Sequence, residues 1–237
     1  MGNDCDTVRA RLRALADPAI ATHSQRFFKT GPGQYGAGDR FLGIRVPVLR
    51  KLARELRDLS EPAVLELLRS PFHEERLLAL ILLTARAERG TLAARRRIYR
   101  QYVARVKEHV NSWDLVDVSA PSIVGAYLEN RSREPLYALA RSANLWERRV
   151  AIMATLRFIR QRDFADTLAI CELLLDDDED LIHKAAGWML REVGNRDRAA
   201  AEAFLRRHCE RMPRTMLRYA IEKYPEALRR SYLKGVA

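Results

Sequence analysis

Ser70-Pro71-Phe72-His73-Glu74-Glu75-Arg76-Leu77-Leu78-Ala79-Leu80 lines up residue for residue with Ser142-Ala143-Asn144-Leu145-Trp146-Glu147-Arg148-Arg149-Val150-Ala151-Ile152. In both, a serine opens a short turn, a Glu-Arg pair follows and an apolar run begins. Similar helix starts fall near residues 74, 112, 146, 181 and 213, at intervals of 38, 34, 35 and 32 residues. A period near 35 residues in helical pairs is the signature of an α-solenoid, in which each repeat buries one face against its neighbours. Such arrays curve, so the expected fold is an all-α solenoid with a concave face.

The rest of the chain supports that expectation. Helical spacing covers 47–58, 61–69, 74–88, 91–109, 121–129, 134–142, 146–162, 165–175, 180–194, 196–211, 213–223 and 225–233. We find no period-2 stretch, no Asn-Gly hairpin turn and no β-branched run. Val8, Leu12, Leu15, Ala16 and Ile20 give a helical N-terminal region, broken near Asp17-Pro18. Gly31-Pro32-Gly33-Gln34-Tyr35-Gly36-Ala37-Gly38 lacks both the Gly-Lys-Ser/Thr ending and the preceding strand of a phosphate-binding loop, and reads as a flexible loop. Pro47 stands where the first turn of a helix accepts proline. The chain 1–237 is expected to be a single repeat domain: N-terminal helices over 6–30, the Gly-rich loop over 31–40 and repeats over 41–233.

Charge is the informative part of the composition. Of 42 basic residues against 31 acidic ones, 36 are arginine, and the formal net charge is +11. A GC-rich genome would also favour arginine over lysine. The surplus nonetheless predicts a polyanionic partner, nucleic acid first and acidic membrane second, and arginine grips phosphate through its bidentate fork. On a solenoid the basic surface would be a cradle for duplex DNA. No apolar run approaches the ~20 residues of a membrane span, and the N-terminus has no apolar signal stretch. Cys5, Cys171 and Cys209 are too few and too scattered for a disulfide framework, which fits a cytoplasmic protein. The five histidines never pair at metal spacing and no Gly-x-Ser-x-Gly element occurs, so metalloenzyme and serine-hydrolase chemistry lack support.

Asn111-Ser112-Trp113-Asp114-Leu115-Val116-Asp117 carries the chemistry. Asn111 suits an N-cap, and Asp114 three residues on comes close to a capping box. Trp113 and Asp117, four apart, project from one helical face. An indole beside a carboxylate suits a cationic ligand; a core tryptophan with a capping aspartate is the alternative. Arg149 falls in the register where the first repeat has Leu77, so it either serves a ligand or packs its stem and snorkels. The acidic run Asp176-Asp177-Asp178-Glu179-Asp180 complements a helix N-terminus and has no calcium-loop spacing. In the helix after it, Lys184, Trp188 and Arg191 share a face that suits an anion. His183 reads as a surface residue. Arg214 and Arg218 add to a C-terminal basic face.

Phe41-Leu-Gly-Ile-Arg-Val-Pro47, Ser112-Trp-Asp-Leu-Val-Asp117, Asn144-Leu-Trp-Glu-Arg-Arg149, Lys184-Ala-Ala-Gly-Trp188-Met-Leu-Arg-Glu192 and Arg214-Thr-Met-Leu-Arg218 together resemble the HEAT-like-repeat alkylpurine DNA glycosylases of the DNA alkylation repair family. The likeness runs from about residue 20 to 225. It implies hydrolysis of the N-glycosidic bond of 3-methyl- and 7-methylpurines in double-stranded DNA by a monomer without metal or cofactor. Carried over by position, Asp117 is the catalytic carboxylate, Trp113 and Trp188 flank the lesion, and Arg149 lies near the backbone of the damaged nucleotide. Lys184, Arg191, Arg214 and Arg218 are candidate DNA contacts. So is Phe27, which stands where the family commonly carries a tyrosine, with the loss of one hydroxyl contact. Two other functions compete: a non-catalytic DNA-binding solenoid that recognises damaged or branched DNA, and a protein-binding scaffold. Retention of both the Trp and the Asp favours the enzyme, and the charge favours DNA.

Overall fold

The computed structural model describes residues 4–235. It is all-α: helix follows helix, and among the described residues the sole β feature is an isolated parallel bridge between Arg40 and Phe72. Contacts divide the chain into two compact units, Met1–Ser119 and Ala120–Ala237. Their boundary falls within a continuous helical run.

The first unit holds α1 (Cys5–Ala14), α2 (Pro18–Phe27), α3 (Val46–Glu55), α4 (Glu61–Leu67), α5 (His73–Arg89), α6 (Leu92–Val103), the single turn α7 (Val106–His109) and α8, which starts at Trp113 and runs to Ala120. Helix α5 is its axis, with α3, α4 and α6 packed around it and α1 against α4. Val8, Leu12, Leu49, Val64, Leu78, Leu80 and Leu83 are fully buried. The side chain of Asp17 caps α2 by accepting from Ala19 and Ile20 N–H, so the Asp-Pro break in the pattern is a helix start. The span 91–109 is two helices instead of one, with α6 ending at Val103 and Arg105 N–H closing a turn on Tyr102. Pro47 takes the second helical position, since Val46 opens α3.

The Gly-rich segment is also ordered differently from the flexible loop expected. It is a chain of tight turns: Gln34 N–H bonds Gly31 O, Ala37 bonds Gln34, Asp39 bonds Gly36, and Gly36 bonds back to Lys29. Positive φ at Gly33 and Gly38 lets the chain reverse.

The second unit continues the helical run through a π-helical turn at Pro121–Gly125 into α9 (Ala126–Leu128). It then holds α10 (Glu134–Ala140), α11 (Leu145–Ala154), α12 (Leu156–Ile159), α13 (Ala165–Leu173), α14 (Asp180–Gly194), α15 (Arg198–His208), α16 (Arg214–Ala220) and α17 (Glu226–Lys234). The helices that open successive repeats, α11, α14 and α16, pack in sequence, with α10, α13 and α15 stacked alongside them. The shared turn at the repeat starts is visible in detail. Ser70 Oγ accepts Phe72 N–H and Ser142 Oγ accepts Asn144 N–H, each at 3.0 Å.

Helices α14 and α16 approach closely at Gly187. A Cβ there would stand 2.4 Å from Met216 O and 2.6 Å from Tyr219 Cβ, so only a bare Cα lets α14 approach α16. An alanine at mid-helix ordinarily stabilises by ~1 kcal/mol, but here it must push backbone apart. Gly187→Ala is expected to lower stability by about 2 kcal/mol; a neutral or stabilising effect in urea unfolding would refute the contact.

Candidate functional site

Helix α8 puts Trp113 and Asp117 one turn apart, as the spacing predicts. Asp114 and Asn111 do something other than form a capping box. Asp114 Oδ2 accepts from His73 Nε2 at 2.7 Å, and Asn111 Oδ1 accepts from Arg76 at 2.6 Å. Both side chains are drawn to the first turn of α5, so they anchor α8 to α5.

That first turn is the most highly charged buried region of the chain. His73, Glu74, Glu75 and Arg76 are all buried. His73 Nδ1 meets Asp39 Oδ2 at 3.0 Å, and Arg76 donates to Asp39 Oδ1 at 2.5 Å. The carboxylate of Glu74 accepts three backbone N–H groups, from Leu42 at 2.9 Å, Gly43 at 2.7 Å and Ile44 at 3.2 Å. Arg9 reaches Glu75 at 3.3 Å from α1. Each group is therefore paired, which is the condition for burying charge.

The segment Phe41–Pro47 owes its shape to these bonds. The N–H groups of Leu42, Gly43 and Ile44 have no helix or sheet to satisfy them, and Glu74 does so instead. Gly43 sits at φ +81°, and a Cβ there would lie 2.0 Å from Asp17 O. Asp17 N–H in turn bonds Leu42 O at 2.9 Å, joining the segment to the start of α2.

Burial disfavours the His73 cation, but the Asp114 charge and the bonds to Asp114 and Asp39 outweigh it and raise its pKa to about 9. Burial likewise works against the Asp114 carboxylate, and His73 overrides it, holding the pKa below the ordinary value. The imidazolium donates from both nitrogens, which matches an acceptor on each side.

Rings cover this charge cluster. Phe41 stacks on His73 at 4.7 Å between centroids, Phe28 lies 4.9 Å from His73, and Trp113 stacks on Phe28 at 5.5 Å with planes 14° apart. Phe27 sets its edge against Trp113 at 6.1 Å and is 58% exposed. The indole of Trp113 is half-buried, backed on one face by Phe28. Behind α8, the buried Tyr102 hydroxyl pairs with Ser119 Oγ at 2.9 Å. Burial raises the Tyr102 pKa, and the nearby Asp117 charge adds to the rise.

The other sequence candidates lie in the second unit. Arg149 is 4% exposed, matching Leu77 in the aligned register, and donates to Leu181 O next to the start of α14. Its guanidinium thus has a bonded place inside the unit and does not snorkel. Trp188 is half-buried and donates to Glu192 Oε1 at 3.3 Å. Lys184 pairs with Asp180 at 2.7 Å and Arg191 with Glu222, so these two cations of the expected anion-facing stripe are partly neutralised. Arg214 donates to Leu233 O at 2.8 Å, and both Arg214 and Arg218 are exposed. The acidic run does more than face a helix end. Asp177 is mostly buried, receives Arg148 at 2.6 Å and caps Glu179 N–H at 2.9 Å, and Asp176 pairs with Arg211 at 2.9 Å. His183 Nε2 bonds the Asp177 carbonyl. Among the described residues no group of three or more His, Cys, Asp or Glu is placed to hold a metal, and no helix is long and apolar enough to cross a membrane.

His73, Glu74, Asp39 and Phe28 do not stand out as site residues in the sequence, and Phe41 does so only within its family motif. The signal for His73 and Glu74 is a His-Glu-Glu-Arg run at the head of an otherwise apolar helix, which reads by itself as a solvated first turn.

Residues 8–224 match the family model for DNA alkylation repair enzymes. No curated protein matches the chain. A solved structure of a predicted DNA alkylation repair enzyme from Enterococcus faecalis is similar, with a TM-score of 0.69 at 17% identity, over 89% of this chain and 97% of that one. At that identity the likeness concerns the fold.

The His73–Asp114 pair sets a pH window. The raised His73 pKa contributes stability that is complete below about 6.5 and is lost as pH rises through about 9. The lowered Asp114 pKa contributes above its ordinary value and is lost on acidification. Wild-type stability should therefore fall between pH 7 and 10 by roughly 2–3 kcal/mol, and His73→Gln should remove most of that slope. Parallel slopes in the two proteins, measured by urea unfolding at each pH, would contradict the pairing.

Proposed function

The chain belongs to the DNA alkylation repair enzyme family, and we propose that it is a monofunctional DNA glycosylase that releases cationic alkylated purines, such as 3-methyladenine and 7-methylguanine, from duplex DNA. The observation that carries this reading is the pairing of Trp113 with Asp117 on α8 while Asp114 is committed to His73. Of the two carboxylates in the motif, Asp114 serves the structure through His73, and Asp117 is the one that the resemblance assigns to the chemistry. The proposal takes 1–237 as one repeat domain, because helices open at 73, 113, 145, 180 and 214; that it acts as a monomer without metal or cofactor rests on the resemblance.

An N3- or N7-alkylated purine is already positively charged, so it leaves as a neutral base without a general acid. The C1′–N bond breaks and its electron pair goes to the base. The sugar develops oxocarbenium character, which the Asp117 carboxylate stabilises by charge. Water then bonds to C1′, and its proton passes by way of Asp117 to solvent, leaving an abasic site. The Trp113 ring, fixed by Phe28 behind it, offers a π face to the cationic base or sugar. Phe27, exposed beside Trp113, is proposed to touch the DNA without the hydroxyl of the common tyrosine. The roles of Arg149, beside the damaged nucleotide's backbone, and of Trp188, flanking the lesion, rest on the resemblance. So do the DNA contacts of Lys184, Arg191, Arg214 and Arg218.

The first test is release of methylated base from a duplex carrying a single 7-methylguanine. Asp117→Asn should cut release by roughly 100-fold or more while DNA affinity stays within a few-fold. Equal loss of both would make Asp117 structural. No release by the wild type, in a protein that still binds duplex in a salt-sensitive way, would leave a non-catalytic DNA binder. Arg149→Ala should lower release and binding together; a variant that loses only thermal stability would confine Arg149 to its bond with Leu181.

A further inference from the structure

The first unit carries a concave feature, lined by none of the α8 residues, between α3 and α6 over α5. It is an open groove of about 850 Å³. Its floor is apolar, made by Ile81, Leu82 and Ala85 of α5 and Ile98 of α6. Its walls are arginine. Arg50 and Arg54 stand one turn apart on α3, Arg57 follows just beyond the helix end, and Arg89 stands at the end of α5.

The charges in this groove are of two kinds. Arg57 is paired with Asp58, Arg97 holds Glu61 through two nitrogens at 2.8–3.0 Å, and Arg86 donates to the carbonyls of Arg57 and Leu59. Arg50, Arg54 and Arg89, in contrast, are exposed and make no hydrogen bond or ion pair among the described residues. Three unpaired guanidinium groups thus rim an apolar floor. Folding alone does not require this arrangement: an exposed α3 face needs no arginine row, and the half-buried Ile81 and Ala85 leave apolar surface open between helices.

We propose that this groove docks an acidic amphipathic helix from a partner protein. Charge complementarity selects an anionic occupant, since the two carboxylates of the lining are already neutralised within it. The apolar floor selects against a DNA backbone, which offers phosphates and no apolar face to fill it. The placing of the unpaired cations selects a helix: Arg50 and Arg54 lie at i and i+4 on α3, a rise of about 6 Å, which matches two glutamates one turn apart on a docked helix, and Arg89 stands at the end of α5. Such a helix would seat its Leu or Ile stripe on the half-buried Ile81 and Ala85, over the buried Leu82 and Ile98, and turn its Glu row to the arginines, combining groove docking with arginine recognition of acidic motifs. The inference stands apart from the glycosylase reading, because no residue of this groove enters that mechanism.

The probe is a synthetic fluorescein-labelled 16-residue peptide with leucines and glutamates at i, i+4 and i+7 on adjoining faces, added to the full-length protein. A scrambled peptide of the same composition is the control. Saturable binding is expected, at least tenfold weaker for the scrambled peptide and for Arg54→Glu/Arg89→Glu. These two arginines are exposed and unpaired, so the double variant should keep the wild-type melting curve and base release. Ala85→Tyr, which fills the floor and leaves every charge, should also weaken binding at least tenfold. Absence of binding overturns the proposal, as does equal binding of the scrambled peptide, which would mean charge attraction alone. Displacement of the peptide by undamaged duplex DNA, together with loss of DNA affinity in Arg54→Glu/Arg89→Glu, would overturn it in favour of a nucleic-acid surface.

Discussion

The first unit depends on one carboxylate. Glu74 lies buried in the opening turn of α5 and accepts the N–H groups of Leu42, Gly43 and Ile44. Without it, a non-helical segment would run through the protein interior with its backbone donors unmet, at a cost of roughly 1–3 kcal/mol for each group. With it, the segment lies flat against α5, Gly43 meets the start of α2, and Asp39 and Phe41 arrive beside His73. The adjoining residue in sequence, His73, performs the matching task toward α8 through Asp114.

This arrangement explains how an aromatic residue on a helical face becomes a fixed surface. Among the described residues the Trp113 indole makes no hydrogen bond; its plane is set by stacking on Phe28, whose neighbours Phe41 and His73 are fixed in turn by the charge cluster. Rigid rings over paired charges make a platform that changes little when a cationic base approaches. In the proposed chemistry that matters, because a preorganised electrostatic site needs no rearrangement in the transition state. The net charge of +11 adds long-range attraction to DNA, while the local ion pairs at Lys184 and Arg191 show that not every arginine or lysine on a predicted basic face is available for phosphate.

Burial of Arg149 shows how repeats divide labour. The register that holds Leu77 in one repeat holds Arg149 in another, and both are 4% exposed. A position built to pack between helices has accepted a guanidinium, whose bond to Leu181 O gives one of its donors a partner. Arg148, one residue earlier, joins Asp177 much as the aligned Arg76 joins Asp39. The acidic run ahead of α14 therefore serves as the partner of the neighbouring repeat's arginine, a relation between repeats that a window on one helix does not contain.

What the sequence determined by itself is whatever depends on periodicity and local chemistry. The 35-residue repeat, the all-α class, nearly every helix span and the placing of Trp113 and Asp117 on one face follow from spacing, because helical geometry is set within a few residues. The family motif was equally legible, since its residues are contiguous. What only the tertiary structure decided is the use of charged side chains at the repeat starts. His73, Glu74, Arg76, Asn111 and Asp114 look in sequence like helix caps and solvated first turns, and each instead bonds a group 30 or more residues away, or belongs to a pair that does. A polar residue's local preference at a helix start is worth about 1 kcal/mol, whereas leaving a buried charge unpaired costs several. Long-range pairing therefore wins, and its partners are invisible until the helices are stacked.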